Sequence, residues 1–66
     1  MRVSINGNEE TITDGLTLID LLRQRGTDPR RVAVEVNKEL VVRAEYAATR
    51  INEGDRIEIV TFVGGG

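Results

Sequence analysis

One segment of this chain carries a complete helix signature, and its place between two stretches of strand-like alternation limits the folds available to it. Thr17 is a good N-cap, and Asp20 three residues on completes a capping box with Asp in the place of Glu. Leu16 and Leu21 stand at the two positions of a hydrophobic staple. Leu18, Leu21, Leu22 and Arg25 repeat at i, i+3, i+4 and i+7, so the aliphatic stem of Arg25 is expected to extend an apolar stripe, with Ile19 off its centre. Gly26 suits the position just past the helix end, and Asp28-Pro29 opposes continuation. A helix this short does not persist alone. It must lie across a sheet.

The sheet is written on either side of it. Val3 and Ile5 alternate with Arg2 and Ser4, Asn6-Gly7-Asn8 supplies turn chemistry, and Glu9–Thr13 reads as a returning strand that ends at Asp14-Gly15. After the helix, Val32, Val34 and Val36 alternate with Ala33 and Glu35. Asn37-Lys38-Glu39 turns the chain into a short strand at Leu40-Val41-Val42. Ala44, Ala47 and Ala48 around Tyr46 suggest a helical turn within Arg43–Arg50, with Tyr46 packing at the edge of the core. Ile51 re-enters the core, Glu53-Gly54-Asp55 forms a tight turn, and Arg56–Val63 is the longest strand candidate. A helix between strands supplies the crossover that parallel pairing needs. The pattern predicts an α+β domain of the β-grasp type, a mixed four- to five-stranded sheet with one main helix packed across one face.

The core of such a domain must come from Val, Ile and Leu, because the 66 residues include no cysteine and no histidine. Disulfides and the usual N/S metal sites are therefore excluded, and so is an iron–sulfur cluster of the ferredoxin kind. A general base near neutral pH would have to be a strongly perturbed carboxylate or lysine. Glu9 and Glu10 are consecutive on a strand and point to opposite faces, so they do not form a carboxylate dyad. No catalytic residue, bound cofactor or metal is expected.

Charge narrows the partners. Nine Lys and Arg against eleven Asp and Glu give a net charge of −2, spread along the chain. Arg30-Arg31 is the one adjacent basic pair, and the single Phe and single Tyr do not interleave with it, which falls short of a nucleic-acid footprint. No apolar run reaches the length of a membrane span, and the first residues lack the hydrophobic stretch of a signal peptide. A cytoplasmic protein without nucleic-acid or membrane partners is the expectation.

The segment that packing does not account for is the last. Residues 1–63 are expected to form the domain and Gly64-Gly65-Gly66 a flexible tail, since glycines bury nothing and lose the most backbone entropy when ordered. What such a tail supplies is access: without Cβ atoms it can thread a narrow channel and place its terminal carboxylate, ionised at neutral pH, beside a nucleotide. Attack of that carboxylate on the α-phosphate of ATP would give an acyl-adenylate on an unhindered glycine, open to a sulfur nucleophile. In the preceding strand, Ile57 and Ile59 share the side that faces the helix, leaving Val60 and Phe62 on the other as a candidate surface for docking a partner. Twist could alternatively carry Phe62 over an edge of the core.

Val42-Arg43-Ala44-Glu45-Tyr46, Glu53-Gly54-Asp55-Arg56-Ile57-Glu58-Ile59-Val60 and Phe62-Val63-Gly64-Gly65-Gly66 together resemble the ThiS family, the sulfur carriers of thiamine biosynthesis. Asn37-Lys38-Glu39-Leu40-Val41 is similar to that family's central hairpin, and the resemblance extends over essentially the whole length. Tyr46 stands where many relatives carry Trp, and Ala44 where relatives often have Pro. The resemblance implies a ubiquitin-like carrier that is not itself an enzyme. An E1-like adenylyltransferase consumes ATP to activate Gly66. A persulfide, fed by a cysteine desulfurase, converts it to a thiocarboxylate, and a thiazole synthase accepts the sulfur. Gly64 and Gly65 would thread the partners' active sites. The small subunit of molybdopterin synthase, or another thiocarboxylate carrier, is the same-class alternative; the former shares this fold and tail, although its members tend to be longer and to carry prolines where this chain has Val60-Thr61-Phe62-Val63. A β-grasp binding module with an inert tail remains the alternative from a different class.

Overall fold

The computed structural model describes residues 1–62. Strand β1 (Arg2–Ile5) turns into β2 (Asn8–Thr11), and helix α1 (Leu18–Gln24) follows. Strand β3 (Val32–Val36) turns into β4 (Glu39–Val41), and β5 (Arg56–Thr61) comes last. The five strands form one sheet in the order β2-β1-β5-β3-β4. Strand β5 therefore lies at its centre, parallel to β1 and antiparallel to β3. The helix covers one face, which is the β-grasp arrangement.

Each hairpin is a two-residue loop of the mirror-image type I class. Asn6 and Gly7 have φ of 50° and 83°, and Asn37 and Lys38 have φ of 53° and 70°. The second loop is one residue shorter than the sequence suggests. Glu39 already pairs with Val36, so β4 runs Glu39–Val41 rather than Leu40–Val42. The first returning strand is likewise displaced, spanning Asn8–Thr11 instead of Glu9–Thr13, because the Asn6-Gly7 turn is complete when Asn8 faces Ile5.

The helix begins as expected. The Asp20 backbone N–H donates to Thr17 Oγ1 at 3.3 Å, and the Thr17 N–H donates to Asp20 Oδ2 at 3.0 Å. Two further N–H groups of the first turn find carbonyls in the segment before β5: Leu18 donates to Thr49 and Ile19 to Tyr46. At the other end, Gly26 (φ 68°) donates to the Arg23 carbonyl and Thr27 to that of Leu22, a complete Schellman closure. Arg25 does not extend the apolar stripe. It is the C-cap, is exposed, and directs Nη1 to Glu10 Oε1 at 3.1 Å. Asp28-Pro29 ends the helix and starts a short 3-10 turn, Pro29–Arg31, capped by the Asp28 side chain.

Leu18, Leu21 and Leu22 meet Val3, Ile5, Val32, Val34 and Ile57 in the core, and Ile51 closes it as expected. Tyr46 is a correction: it is only 2% exposed, a central core residue rather than an edge packer. The expected helical turn is the 3-10 turn Arg43–Glu45, and it delivers the ring inward from its end. The Tyr46 hydroxyl reaches the Val32 carbonyl at 3.5 Å, the outer limit of a hydrogen bond. Among the described residues, no helix is long and apolar enough to cross a membrane.

Candidate functional site

Strand β5 carries the chain from the middle of the sheet toward the glycines, and its alternation divides its side chains between two surroundings. Ile57 is buried against the helix and Ile59 packs against the same cluster. Val60 and Phe62 are 58% and 60% exposed, on the face that the helix leaves open. Phe62 is thus not a core residue. Its backbone is nevertheless held, since its N–H donates to the Arg31 carbonyl at 2.8 Å, continuing the β3–β5 pairing one step past the end of the strand.

Two further apolar side chains share that face. Register places Val60 opposite Ala33, and Glu35 opposite both Glu58 and Leu40. Directly opposed residues lie on the same side of a sheet, and Val42 follows Leu40 by two. Leu40 and Val42 are 67% and 57% exposed. Val60 flanks the small Ala33 on the same face, while Leu40 shares a row with Glu35 and Glu58 nearer the β3–β4 turn. Sequence alone does not single out Leu40 and Val42, which look like ordinary residues of a short strand. Only the register shows them on the same face as Val60, with β3 between.

The other half of the open face is chemically different. A shallow groove of about 610 Å³ there is bordered by Arg2, Glu9, Glu53, Arg56 and Glu58. Arg2 Nη2 pairs with Glu9 Oε2 at 2.7 Å, while Glu10 reaches Arg25 instead, so the two adjacent glutamates act separately. Among the described residues, no group of three or more His, Cys, Asp or Glu is placed to hold a metal ion.

Three polar side chains fix the position of β5. Asn37 Oδ1 accepts from the Arg56 N–H at 3.0 Å, and its Nδ2 donates to Asp55 Oδ1 at 3.1 Å. Asp55 is 8% exposed, and its Oδ2 accepts from the Asn52 N–H at 2.8 Å, closing the Gly54 turn. Toward the other end, Asn6 Oδ1 accepts from the Ile59 N–H at 2.7 Å and its Nδ2 donates to the Ile59 carbonyl at 3.2 Å. Both asparagines are the first residues of their turns, at positive φ, and both reach across to β5. Their role as turn formers, legible in the sequence, is only half of what they do.

Val63, Gly64, Gly65 and Gly66 lie outside the described residues, and with them the expected acyl site and the threading glycines. The strand itself runs Arg56–Thr61 rather than the whole of Arg56–Val63.

Comparison with known proteins places this architecture. A crystal structure of a thiamine biosynthesis protein (ThiS) from Geobacter metallireducens superimposes with a TM-score of 0.86 at 32% identity, covering all of both chains. The sulfur carrier protein ThiS of Bacillus subtilis is 42% identical over 50 residues, 76% of each chain. A thiazole synthase from Paramagnetospirillum magneticum is 46% identical over all 66 residues, but the chain spans only 20% of that relative's length. A thiazole synthase from Magnetococcus marinus is similar in the same way, at 44% identity. The sequence model of the ThiS family matches residues 3–66. On these grounds the chain belongs to the ThiS family.

Proposed function

We propose that this chain is a sulfur carrier of thiamine biosynthesis whose reactive atom is the carboxyl carbon of Gly66. An E1-like adenylyltransferase joins the Gly66 carboxylate to the α-phosphate of ATP and releases pyrophosphate. The terminal sulfur of a persulfide then attacks the acyl carbon, AMP leaves, and a thiol reduces the acyl disulfide to the thiocarboxylate. A thiazole synthase takes that sulfur. The carrier contributes a substrate group and a docking surface. It contributes no catalytic side chain and binds no cofactor or metal of its own.

The observation that carries this reading is the construction of β5. It is the central strand of the sheet, and in sequence the three glycines follow it after Phe62 and Val63. Its last outward residues, Val60 and Phe62, stay exposed beside Leu40 and Val42. Exposed large apolar side chains on one face support the reading of that face as a docking surface. The four residues after Phe62 can span at most about 14 Å, so a partner that docks on this surface must hold its reacting nucleotide or substrate within that distance. Similarity over all 66 residues of this chain to one fifth of two proteins named thiazole synthase supports a thiazole synthase as the acceptor.

Intact-mass measurement tests the proposal. Incubation with the activating enzyme, ATP and a sulfide source is expected to add the mass difference between sulfur and oxygen, mapped to Gly66. A variant lacking Gly65 and Gly66 should gain nothing while keeping its melting temperature. An increment on a side chain, or none at all with an activating enzyme proven on another carrier, would overturn it.

A further inference from the structure

The tail-bearing end of β5 is supported unequally along its two edges. On the β3 side, backbone pairing continues to Thr61, and Phe62 still donates to Arg31. On the β1 side, backbone pairing covers Ser4 with Arg56 and Ile5 with Ile57, and the Asn6 N–H donates to the Ile57 carbonyl. There β1 gives way to the turn. A β5 edge left at that point would present an N–H and a carbonyl at Ile59 to solvent. The Asn6 side chain meets both, accepting at 2.7 Å and donating at 3.2 Å, so one amide acts as one more residue of the missing strand. Ile59 immediately precedes Val60, and among the described residues the Asn6 amide is the last hydrogen-bonding support on this edge of β5.

We propose that Asn6 is a positioning residue for carrier activation: its side-chain amide holds the Ile59 peptide so that Val60, Phe62 and the following tail enter the activating enzyme in one geometry. This rests on the carrier reading above. Without the amide, the end of β5 is fixed along one edge only, and each encounter with a partner must first order it. That cost falls on binding rather than on the chemical step at Gly66. Asn37 serves as an internal comparison. It occupies the same position in its own turn, has nearly the same φ, and also bonds β5, but at Arg56, the end remote from the tail.

Asn6→Gly and Asn37→Gly delete the amides while tolerating positive φ, and Asn6→Asp keeps the acceptor and loses the donor. The measurement is pyrophosphate release by the purified E1-like adenylyltransferase with the carrier as varied substrate, alongside amide hydrogen exchange of the free carrier. Asn6→Gly is expected to raise KM for the carrier about tenfold with kcat nearly unchanged, and to speed exchange of the Ile59 amide. Asn6→Asp should fall between it and the parent chain. Asn37→Gly should lower the melting temperature comparably yet leave KM in place. An unchanged KM in Asn6→Gly, or an equal rise in Asn37→Gly, overturns the positioning role while the carrier reading stands. Should Asn6→Gly not fold, an unchanged KM in Asn6→Asp overturns it in the same way. A parent chain that the enzyme never adenylates overturns the carrier reading and this proposal together.

Discussion

Both faces of the sheet carry large apolar side chains set out by the same alternation, yet their surroundings differ. On the helix side, Val3, Ile5, Val34 and Ile57 are shut away beneath Leu18, Leu21 and Leu22. On the open side, Leu40, Val42, Val60 and Phe62 remain more than half exposed. Folding accounts for the first group, since burying aliphatic side chains is the main source of stability in a domain with no cysteine to form a disulfide. It does not account for the second. A chain this small gains little stability from apolar groups left in water, and the proposed docking of a partner on this face would account for them.

Strand β5 contains both kinds of residue and so offers the sharpest way to break the comparison. Ile57→Ala should cost about 2–5 kcal/mol of stability, as for a buried aliphatic truncation. A domain of this size has a total of roughly 3–10 kcal/mol, so the variant should be near unfolding at ambient temperature. Phe62→Ala removes a larger side chain but should change stability by less than about 0.5 kcal/mol. Its effect should appear in complex formation, as a loss of at least about tenfold in affinity for the activating enzyme or the thiazole synthase. Thermal melts and titration calorimetry on both variants decide the matter. A Phe62→Ala melt as damaged as that of Ile57→Ala would make the open face part of the stabilising core.

How much of this is legible in the sequence depends on the range of the interaction. Local features read well. The Thr17–Asp20 cap, the Gly26 terminus, the Val32–Val36 alternation and the inward turn at Ile51 involve residues a few positions apart or a single strong pattern. The outward placement of Val60 and Phe62 follows from period-two geometry. What escapes is long-range or set by register. Asn6 meets Ile59 across 53 positions and Asn37 meets Asp55 across 18, and no local pattern encodes either bond. Leu40 falls on the same face as Val60 only because the Asn37-Lys38 loop is two residues long. The hydroxyl of Tyr46 suggests a wet end and hence an edge position, whereas the structure buries the ring and gives the hydroxyl a backbone carbonyl.

The helix side can be weakened by a smaller amount without touching the open face. Thr17→Ala removes the acceptor for the Asp20 N–H and should cost about 1 kcal/mol, while transfer measured well below the melting temperature stays at the parent rate. The same cap predicts a pH dependence. The Thr17 backbone N–H, then its hydroxyl, hold the Asp20 carboxyl below its ordinary range. The carboxylate's contribution is therefore present above the unfolded-state value and is lost as pH falls through the lowered one. Stability should decline in acid, and Asp20→Asn should make that decline shallower. Asp28, lowered chiefly by its side-chain hydrogen bond from Arg30, contributes in the same direction. An Asp20→Asn melt that falls with acid as steeply as the parent's would remove Asp20 from this account.

The smallest expected effect concerns a residue at the end of the sheet remote from the tail. Lys38 is exposed and adopts φ of 70° in a turn whose second position favours glycine. A left-handed conformation costs a side-chain-bearing residue roughly 1–2 kcal/mol. Replacing Lys38 with Gly relieves this, but the freer unfolded chain takes back about 0.4–1 kcal/mol. Lys38→Gly should therefore raise stability by up to about 1 kcal/mol, a few degrees in melting temperature for a domain of this length. Lys38 lies at the turn beside Arg56, whereas the proposed docking surface is around Phe62, so on that proposal adenylation kinetics should not change. A gain in stability with constant KM would show that the fold can be strengthened independently of the surface that presents the tail. A rise in KM would instead mean that the β3–β4 turn, and not only the Phe62 end of the open face, meets the partner.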